Sequence, residues 1–352
     1  MNAQLPAVGK VSSEIFEEVI LPRLGRKRRS VLVGPQNGLD VGVVDLGGGH
    51  VMVTTTDPIF VVPPYGWQRS GWFAVHILAS DAATSGLAPQ YITMDLNLPL
   101  SISREQFEAL WTAIHEECDK LGIAVISGHT GRYEGCDYPM IGGATVIAIG
   151  PGNSYVTTRM ARPGDRVLIT KGAAIEAAAL FAVTFPEKVA EAYDEQIAVQ
   201  ARDLFWQMSV VNDALTAVEV GVRDNGVTAM HDATECGVWG GLVEIAQASS
   251  VGLVVEKGEI IVQDAVRSVC DLFDIDPYSS ISEGTLIITC RPHKERELHD
   301  RLSDKGILAS SVGEIRDAKD GIRYFESGRA HQLSHPKIDP FWTAFGKAAS
   351  QQ

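Results

Sequence analysis

Four short segments of this chain set groups with metal or phosphate chemistry beside small residues. They are Thr55-Thr56-Asp57, Ser80-Asp81-Ala82-Ala83, Ser127-Gly128-His129-Thr130-Gly131 and His231-Asp232-Ala233-Thr234-Glu235-Cys236-Gly237. Carboxylates suit Mg2+, a hard cation that prefers oxygen and commonly bridges protein acids to substrate phosphates. Asp40, in Gly38-Leu39-Asp40-Val41-Gly42, is a further such group at a strand start. Each segment alone also has a plainer reading. Asp57, between an apolar run and Pro58, fits a turn-former as well as a ligand. Asp81 falls in an apolar helical stretch and must there be exposed, paired or bound to a cation. Gly128 and Gly131 follow an apolar run, where they allow either a tight turn or one whose N–H groups face a phosphate. His129 reads equally as ligand, acid–base group or polar loop residue. Thr234 and Gly237 precede a helix, whose N-terminus favours anions, although Thr234 is equally a simple cap. No sequence feature marks Cys236 as an activated nucleophile. Together, in this order, the segments point to a divided nucleotide–metal site built from distant parts of the chain.

The elements that must position them alternate along the first half. Ser12–Leu24 has helical spacing of Ile15, Phe16, Val19, Ile20 and Leu24, and a strand is expected after the basic run Arg23–Arg29. Val41–Asp45 and His50–Thr55 form a hairpin through three glycines. A helix over 71–85 is stopped by Gly86, and Tyr91–Leu98 returns as a strand. Ser103 caps a helix over Arg104–Leu121 that ends at Gly122. Ala124–Ser127 and 140–149 complete the strands of this half. The pattern breaks near Gly150-Pro151-Gly152-Asn153. Beyond it the spacing predicts strands over 167–170, 227–230, 252–255 and 285–290. Helices are expected over 173–182, 204–220, 240–249, 268–272 and 294–305, and 312–315 should pair with 322–325 to close the sheet. The expected division is a domain over 1–155, a second over 156–330 and a tail over 331–352.

The 352 residues suffice for two domains with substantial cores, and 45% hydrophobic with 21% charged residues is a globular balance. A formal net charge of −14 argues against nucleic acid or an anionic membrane as main partner, since both need clustered cations. Five scattered cysteines without a CxxC pair fit a reducing compartment. The start Met1–Lys10 lacks a secretory pattern, and no run approaches the ~18 apolar residues of a membrane span. A cytoplasmic protein is expected. The chain has neither GxxxxGK[ST] nor GxGxxG after its first strand, so neither a P-loop nor a dinucleotide fold is indicated.

Taken in order and spacing, these segments resemble the aminoimidazole ribonucleotide (AIR) synthetase superfamily. That group includes hydrogenase maturation protein E, thiamine-monophosphate kinase and selenophosphate synthetase. The likeness spans roughly residues 10 to 325 and is nearest the hydrogenase-maturation branch. It rests on Leu32-Val33-Gly34-Pro35 with Asp40, on Thr55-Thr56-Asp57, and on Asp81 with Gly86-Leu87-Ala88-Pro89. It continues through Gly128-His129-Thr130, Gly164-Asp165-Arg166-Val167-Leu168, residues 232–241 and Ser282-Glu283-Gly284-Thr285. The resemblance implies an α/β (α+β type) two-domain fold whose first domain pairs with its copy in a homodimer, with ATP and Mg2+ in the cleft between the domains. Members phosphorylate an oxygen, often of an amide, so that it can leave. The resemblance makes Asp40, Asp57, Asp81 and Asp232 the metal carboxylates. It sets Asp57, Asp81, Gly128, Thr130, Thr234 and Gly237 at the nucleotide, and His129, Asp232 and Glu283 at the chemistry.

Three departures qualify what is carried over. The hydrogenase-maturation branch has Gly-Asp-Thr-Lys where this chain has Gly128-His129-Thr130-Gly131, so imidazole replaces an acid and the lysine is missing. Leu39 stands where relatives often carry a second acid. That branch also ends in a cysteine that receives a carbamoyl group, whereas this chain ends Ala348-Ala349-Ser350-Gln351-Gln352. The expectation is therefore an ATP-dependent enzyme activating an oxygen of a small-molecule acceptor. A small-molecule kinase and a non-catalytic nucleotide- or protein-binding paralogue are the alternatives.

Overall fold

The structure, a computed structural model, describes residue 5 and residues 9–351. Of the Met1–Lys10 start only Leu5, Gly9 and Lys10 are described, so the reading of that start lies outside the described residues. Two mixed sheets carry the fold. The first contains β1 (Val31–Val33), β2 (Gly42–Gly47), β3 (His50–Phe60), β4 (Tyr91–Leu98), β5 (Ala124–Arg132) and β6 (Met140–Pro151), in the order β1-β2-β3-β6-β4-β5. The second contains β7 (Arg166–Thr170), β8 (Val227–Asp232), β9 (Gly252–Glu256), β10 (Leu286–Cys290), β11 (Ala309–Arg316), β12 (Ile322–Glu326) and β13 (Arg329–Gln332). Their order is β13-β12-β9-β11-β7-β10-β8. This two-sheet α/β arrangement is the fold class expected from the sequence.

One face of the first sheet is covered by the helices Trp67–Ala83 and Arg104–Leu121. The second helix is fixed by local chemistry at both ends. Ser103 and Gln106 form a reciprocal capping box, and Gly122 closes the other end at φ +71°. Gly71 lets the two helices touch, since a Cβ there would lie 2.5 Å from that of Ala113. The apolar core beneath them runs on into the second half. Leu78, Ala82 and Ala83 belong to the same cluster as Val210, Ala214, Met230, Leu286 and Ile288. The two halves are thus joined by packed side chains as well as by the connecting chain.

Several expectations change in the structure. The helical segment at 13–23 is three short pieces, Ser13–Ile15, Phe16–Ile20 and Leu21–Arg23, with only Ile15 buried. β3 does not stop before Asp57 but runs through Asp57 and Pro58 to Phe60. Proline is tolerated there because β2 pairs with β3 only as far as Thr54. The helix expected over 204–220 breaks after Gln207 and resumes as Val211–Ala217, with the Ser209 carbonyl turned to accept from Lys171 Nζ at 2.7 Å. β11 and β12 do not pair with each other, because β9 lies between them. The 331–352 segment is no loose tail. It forms the helix Pro340–Ala349, and Phe341 is buried against Phe181 and Phe345.

Truncating Phe341 to alanine removes a fully packed ring from this cluster and should cost about 3–5 kcal/mol of stability. Denaturant unfolding with an unchanged slope and a lowered midpoint is the expected result.

Candidate active site

The acids singled out from sequence arrive from both halves. Asp57 comes from β3, and Asp81 from the last turn of the helix Trp67–Ala83. Thr55 Oγ1 donates to Asp81 Oδ2 at 3.1 Å, which fixes that carboxyl against the strand. Asp81 is half-buried. Burial, then the charges of Asp57 and Asp40, push its pKa well above the usual carboxylate range. Asp40 precedes β2 and reaches across to β8. His231 Nδ1 lies 2.7 Å from Asp40 Oδ1, and the backbone N–H of Asp232 donates to Asp40 Oδ2 at 3.4 Å.

Asp232, at the end of β8, and Glu283, just before β10, are buried side by side. Both oxygens of Asp232 and Oε1 of Glu283 have no hydrogen-bond donor among the described residues. Burial raises Asp232 to about 7, and burial together with the Asp232 charge raises Glu283 well above its ordinary value. Two such carboxyls must share a proton or meet a cation. Glu283 is held in place by its own N–H, which donates to Glu176 Oε2 at 3.0 Å. Burial, followed by the charges of Asp339 and Asp232, raises Glu176 to about 8.

These carboxylates have the oxygen chemistry that Mg2+ requires, and the orphaned oxygens of Asp232 and Glu283 are what a cation would satisfy. Among the described residues, however, no three His, Cys, Asp or Glu side chains converge tightly enough to hold a metal ion alone. Mg2+ fits such a partial set, because it usually keeps several waters and completes its shell with substrate phosphates.

The other sequence candidates separate. Thr234 Oγ1 accepts from Lys10 Nζ at 3.3 Å, and Lys10 N donates to Glu235 at 3.2 Å, so the N-terminal segment lies over this turn. The helix Gly237–Ser249 begins at Gly237, but the nearby N–H of Cys236 is already taken by the Asp339 carboxylate at 2.7 Å. The Cys236 thiol donates to Pro336 O, and burial pushes its pKa up to about 12, which rules against a thiolate nucleophile. The Gly128-His129-Thr130-Gly131 segment is not a turn. It lies within β5, paired in parallel with Met94–Asn97, so its backbone forms ladder contacts rather than a phosphate cradle. His129 Nε2 meets Tyr133 Oη at 2.6 Å, and the residue borders a shallow hollow with Thr56, Thr93, Asp95 and Thr145. Thr56 points away from the face that carries Thr55, so within one chain His129 stands apart from the acid cluster.

Sequence reasoning missed the groups that hold this cluster. They are His231, Glu244, Glu176, Lys171 and Lys10. His231 sits beside Asp232 in a segment already singled out, and its ring lies between two acids, with Nε2 2.8 Å from Glu244 Oε2. Burial alone would lower its pKa, but Asp40 and Glu244 outweigh that and raise it well above the ordinary value. Both ring nitrogens face carboxylate oxygens, which is the arrangement of an imidazolium donating twice.

The family model described as AIR synthase related protein, N-terminal domain, matches residues 38–149. The model of the C-terminal domain matches 162–325. A putative hydrogenase expression/formation protein of Methanocaldococcus jannaschii is 24% identical over 290 residues, covering 81% of each chain. Carbamoyl dehydratase HypE of Escherichia coli K12 is 27% identical over 274 residues, covering 76% of this chain and 75% of that one. Among solved structures, E. coli HypE, a hydrogenase maturation protein, superposes with a TM-score of 0.69 at 23% identity. That match covers 82% of this chain and 87% of that one. A HypE in complex with ATP gives 0.61 at 17% identity, covering 95% and 97%.

The raised acids set a pH signature. A carboxyl whose pKa is higher in the fold than unfolded contributes stability below the unfolded value. That contribution is lost as pH rises through the folded one. Asp232, at about 7 in the fold against an ordinary value of 3.8, loses it between about pH 4 and 7. Asp232→Asn should therefore raise the melting temperature of the metal- and nucleotide-free protein at pH 8, by roughly 3 °C or more. The gain should shrink toward pH 4. A lowered melting temperature at pH 8 would contradict the buried acid pair.

Proposed function

Since this chain belongs to the AIR synthase related protein family, we propose that it is an ATP- and Mg2+-dependent enzyme. In this reading it phosphorylates an oxygen of a small-molecule amide or similar acceptor and so turns that oxygen into a leaving group. The observation that carries the reading is the meeting of Asp40, Asp57 and Asp81 with Asp232 and Glu283 in one place, with buried carboxylate oxygens left without donors. The likeness to carbamoyl dehydratase HypE, and to a HypE in complex with ATP, supports a nucleotide as the ligand.

Asp57, Asp81 and Asp232 would hold Mg2+, with Asp40 behind them. The ion supplies positive charge against the phosphate oxygens. Lys10, anchored on Thr234 and Glu235, brings a cation to the same region from the N-terminal side. Glu283 is the group for proton handling at the acceptor. Its carboxyl is buried beside Asp232, and its backbone is held by Glu176. Its raised pKa keeps it protonated to a higher pH than an ordinary carboxyl, as a proton donor requires.

The acceptor is read as a free molecule, since the 333–339 segment is packed against the turn beside the site, with Asp339 accepting the Cys236 N–H. A homodimer through the first sheet is part of the reading. The edge strand β5 is exposed almost throughout, and its own Val125 and Ile126 leave apolar surface on it. A cytoplasmic location belongs to it as well, supported by a helix set in which no described helix is long and apolar enough to cross a membrane.

Calorimetric titration with ATP, with and without Mg2+, tests the proposal. Magnesium-dependent binding is expected, and Asp81→Asn should weaken it by about tenfold or more, since it removes a charge from a low-dielectric cleft. No binding at millimolar ATP in the presence of Mg2+ would sink the proposal. Product analysis with bound acceptors then separates lasting phosphorylation from loss of the activated oxygen.

A further inference from the structure

The 333–339 segment is sewn to the turn between β8 and the helix Gly237–Ser249. The Asp339 carboxylate accepts the Cys236 N–H at 2.7 Å and the Phe341 N–H at 2.9 Å, and Pro336 O accepts the Cys236 thiol at 3.4 Å. Leu333 and Phe341 anchor the two sides of the segment in apolar clusters. Between them, His335 turns inward. Its Nδ1 donates to Pro336 O at 2.6 Å, and its Nε2 lies 3.5 Å from Glu244 Oε1. The other Glu244 oxygen meets His231 Nε2, and His231 Nδ1 meets Asp40. A line of alternating imidazole and carboxylate groups therefore runs from the C-terminal segment to an acid of the first half.

Three glycines make room for this line. A Cβ on Gly38, which also has φ +73°, would lie 2.8 Å from the Glu244 Cβ. One on Gly240 would stand 3.4 Å from His335 Nε2 and 2.9 Å from the Cys236 Cβ, and one on Gly241 would stand 3.3 Å from His231 Cδ2. The convergence thus depends on backbone at three separate positions as well as on the four side chains. Both Asp40 oxygens are directed by it, one toward His231 and one toward the Asp232 N–H, and each keeps a lone pair for a further partner.

We propose that the 333–339 segment is a strap that positions Asp40, and through it the carboxylate cluster, by way of His335, Glu244 and His231. This inference rests on the nucleotide reading above. His231, Glu244 and His335 are positioning residues in it, and none of them touches the nucleotide. Outer groups that orient the carboxylates of a cation site affect affinity strongly even at a remove.

The test is calorimetric affinity of the full chain for AMPPNP with Mg2+, alongside the melting temperature of each variant. His231→Ala should weaken binding by about tenfold or more, and His335→Ala by at least about threefold. His335→Gln, which keeps an N–H donor toward Glu244, should recover most of the loss, whereas His335→Leu, which keeps the bulk without the donor, should not. Equal recovery by both would mean bulk packing and overturn the strap. His335 is partly exposed, so its variants keep the question answerable if His231→Ala fails to fold. Wild-type binding that persists unchanged in every His335 variant likewise overturns the strap and leaves the nucleotide reading standing. A wild type that fails to bind Mg2+ with AMPPNP overturns the nucleotide reading, and the strap's purpose goes with it.

Discussion

The structure depends on how it keeps like charges together out of water. Burying a carboxylate without a donor or counter-charge costs several kcal/mol even after relaxation, yet Asp232 and Glu283 are both buried with oxygens left unsatisfied. Burial pushes both carboxyls upward, and the Asp232 charge pushes Glu283 further, so each is protonated at a higher pH than in water. The neighbouring acids are relieved differently. Asp40 and Glu244 hold one imidazolium between them, and Lys171 answers Asp213 at 3.0 Å nearby. Protons and fixed cations offset only part of the cluster's negative charge, and the orphaned oxygens of Asp232 and Glu283 are what one more cation would satisfy.

That arrangement needs rigid supports from both halves. Asp81 rides on a helix whose inward face, including Leu78, Ala82 and Ala83, packs into the same core as β8 and β10. Asp232 and Glu283 are brought together by sheet register, because Leu286 of β10 stands opposite Asp232 of β8. Successive strand residues point to opposite sides, so one strand end sends Asp232 toward Glu283 and His231 toward the helix that carries Glu244. The same register that places the acid thus places its buttress. Apolar packing between the halves and the polar line through His231 constrain the cluster independently.

What the sequence made legible follows from how local the signals are. The helix Arg104–Leu121 and the strand Tyr91–Leu98 are read correctly end to end, because a cap, a terminal glycine and strict alternation are written within the segments themselves. The closing strands 312–315 and 322–325 are found but mispaired, since nothing local says that β9 will be inserted between them. Gly128 and His129 look like a turn by composition. A parallel partner strand thirty-odd residues upstream draws them out straight. Glu283 is legible only through the family resemblance, whereas Asp40, Asp57, Asp81 and Asp232 could be named because carboxylates beside small or apolar residues stand out locally. His231, Glu244, Glu176 and His335 could not. Glutamate on a helix and histidine near a proline are ordinary, and only partners up to 191 residues away bring them into the cluster.

The electrostatics also bear on the order of events in the proposed reaction. A triphosphate is a polyanion, and this chain carries a net charge of −14 with its acids gathered where the phosphates would lie. At close range in a low-dielectric cleft, repulsion between those groups is far stronger than in water. The described cations in reach do not offset it. His231 is already held by Asp40 and Glu244, Lys171 by Asp213, and Lys10 is shared among Thr234 and the surrounding acids. Nucleotide and divalent cation must therefore enter as one unit, or the cation first. On this argument the proposed magnesium requirement would be a property of the protein's own charge distribution, imposed before any phosphoryl group moved.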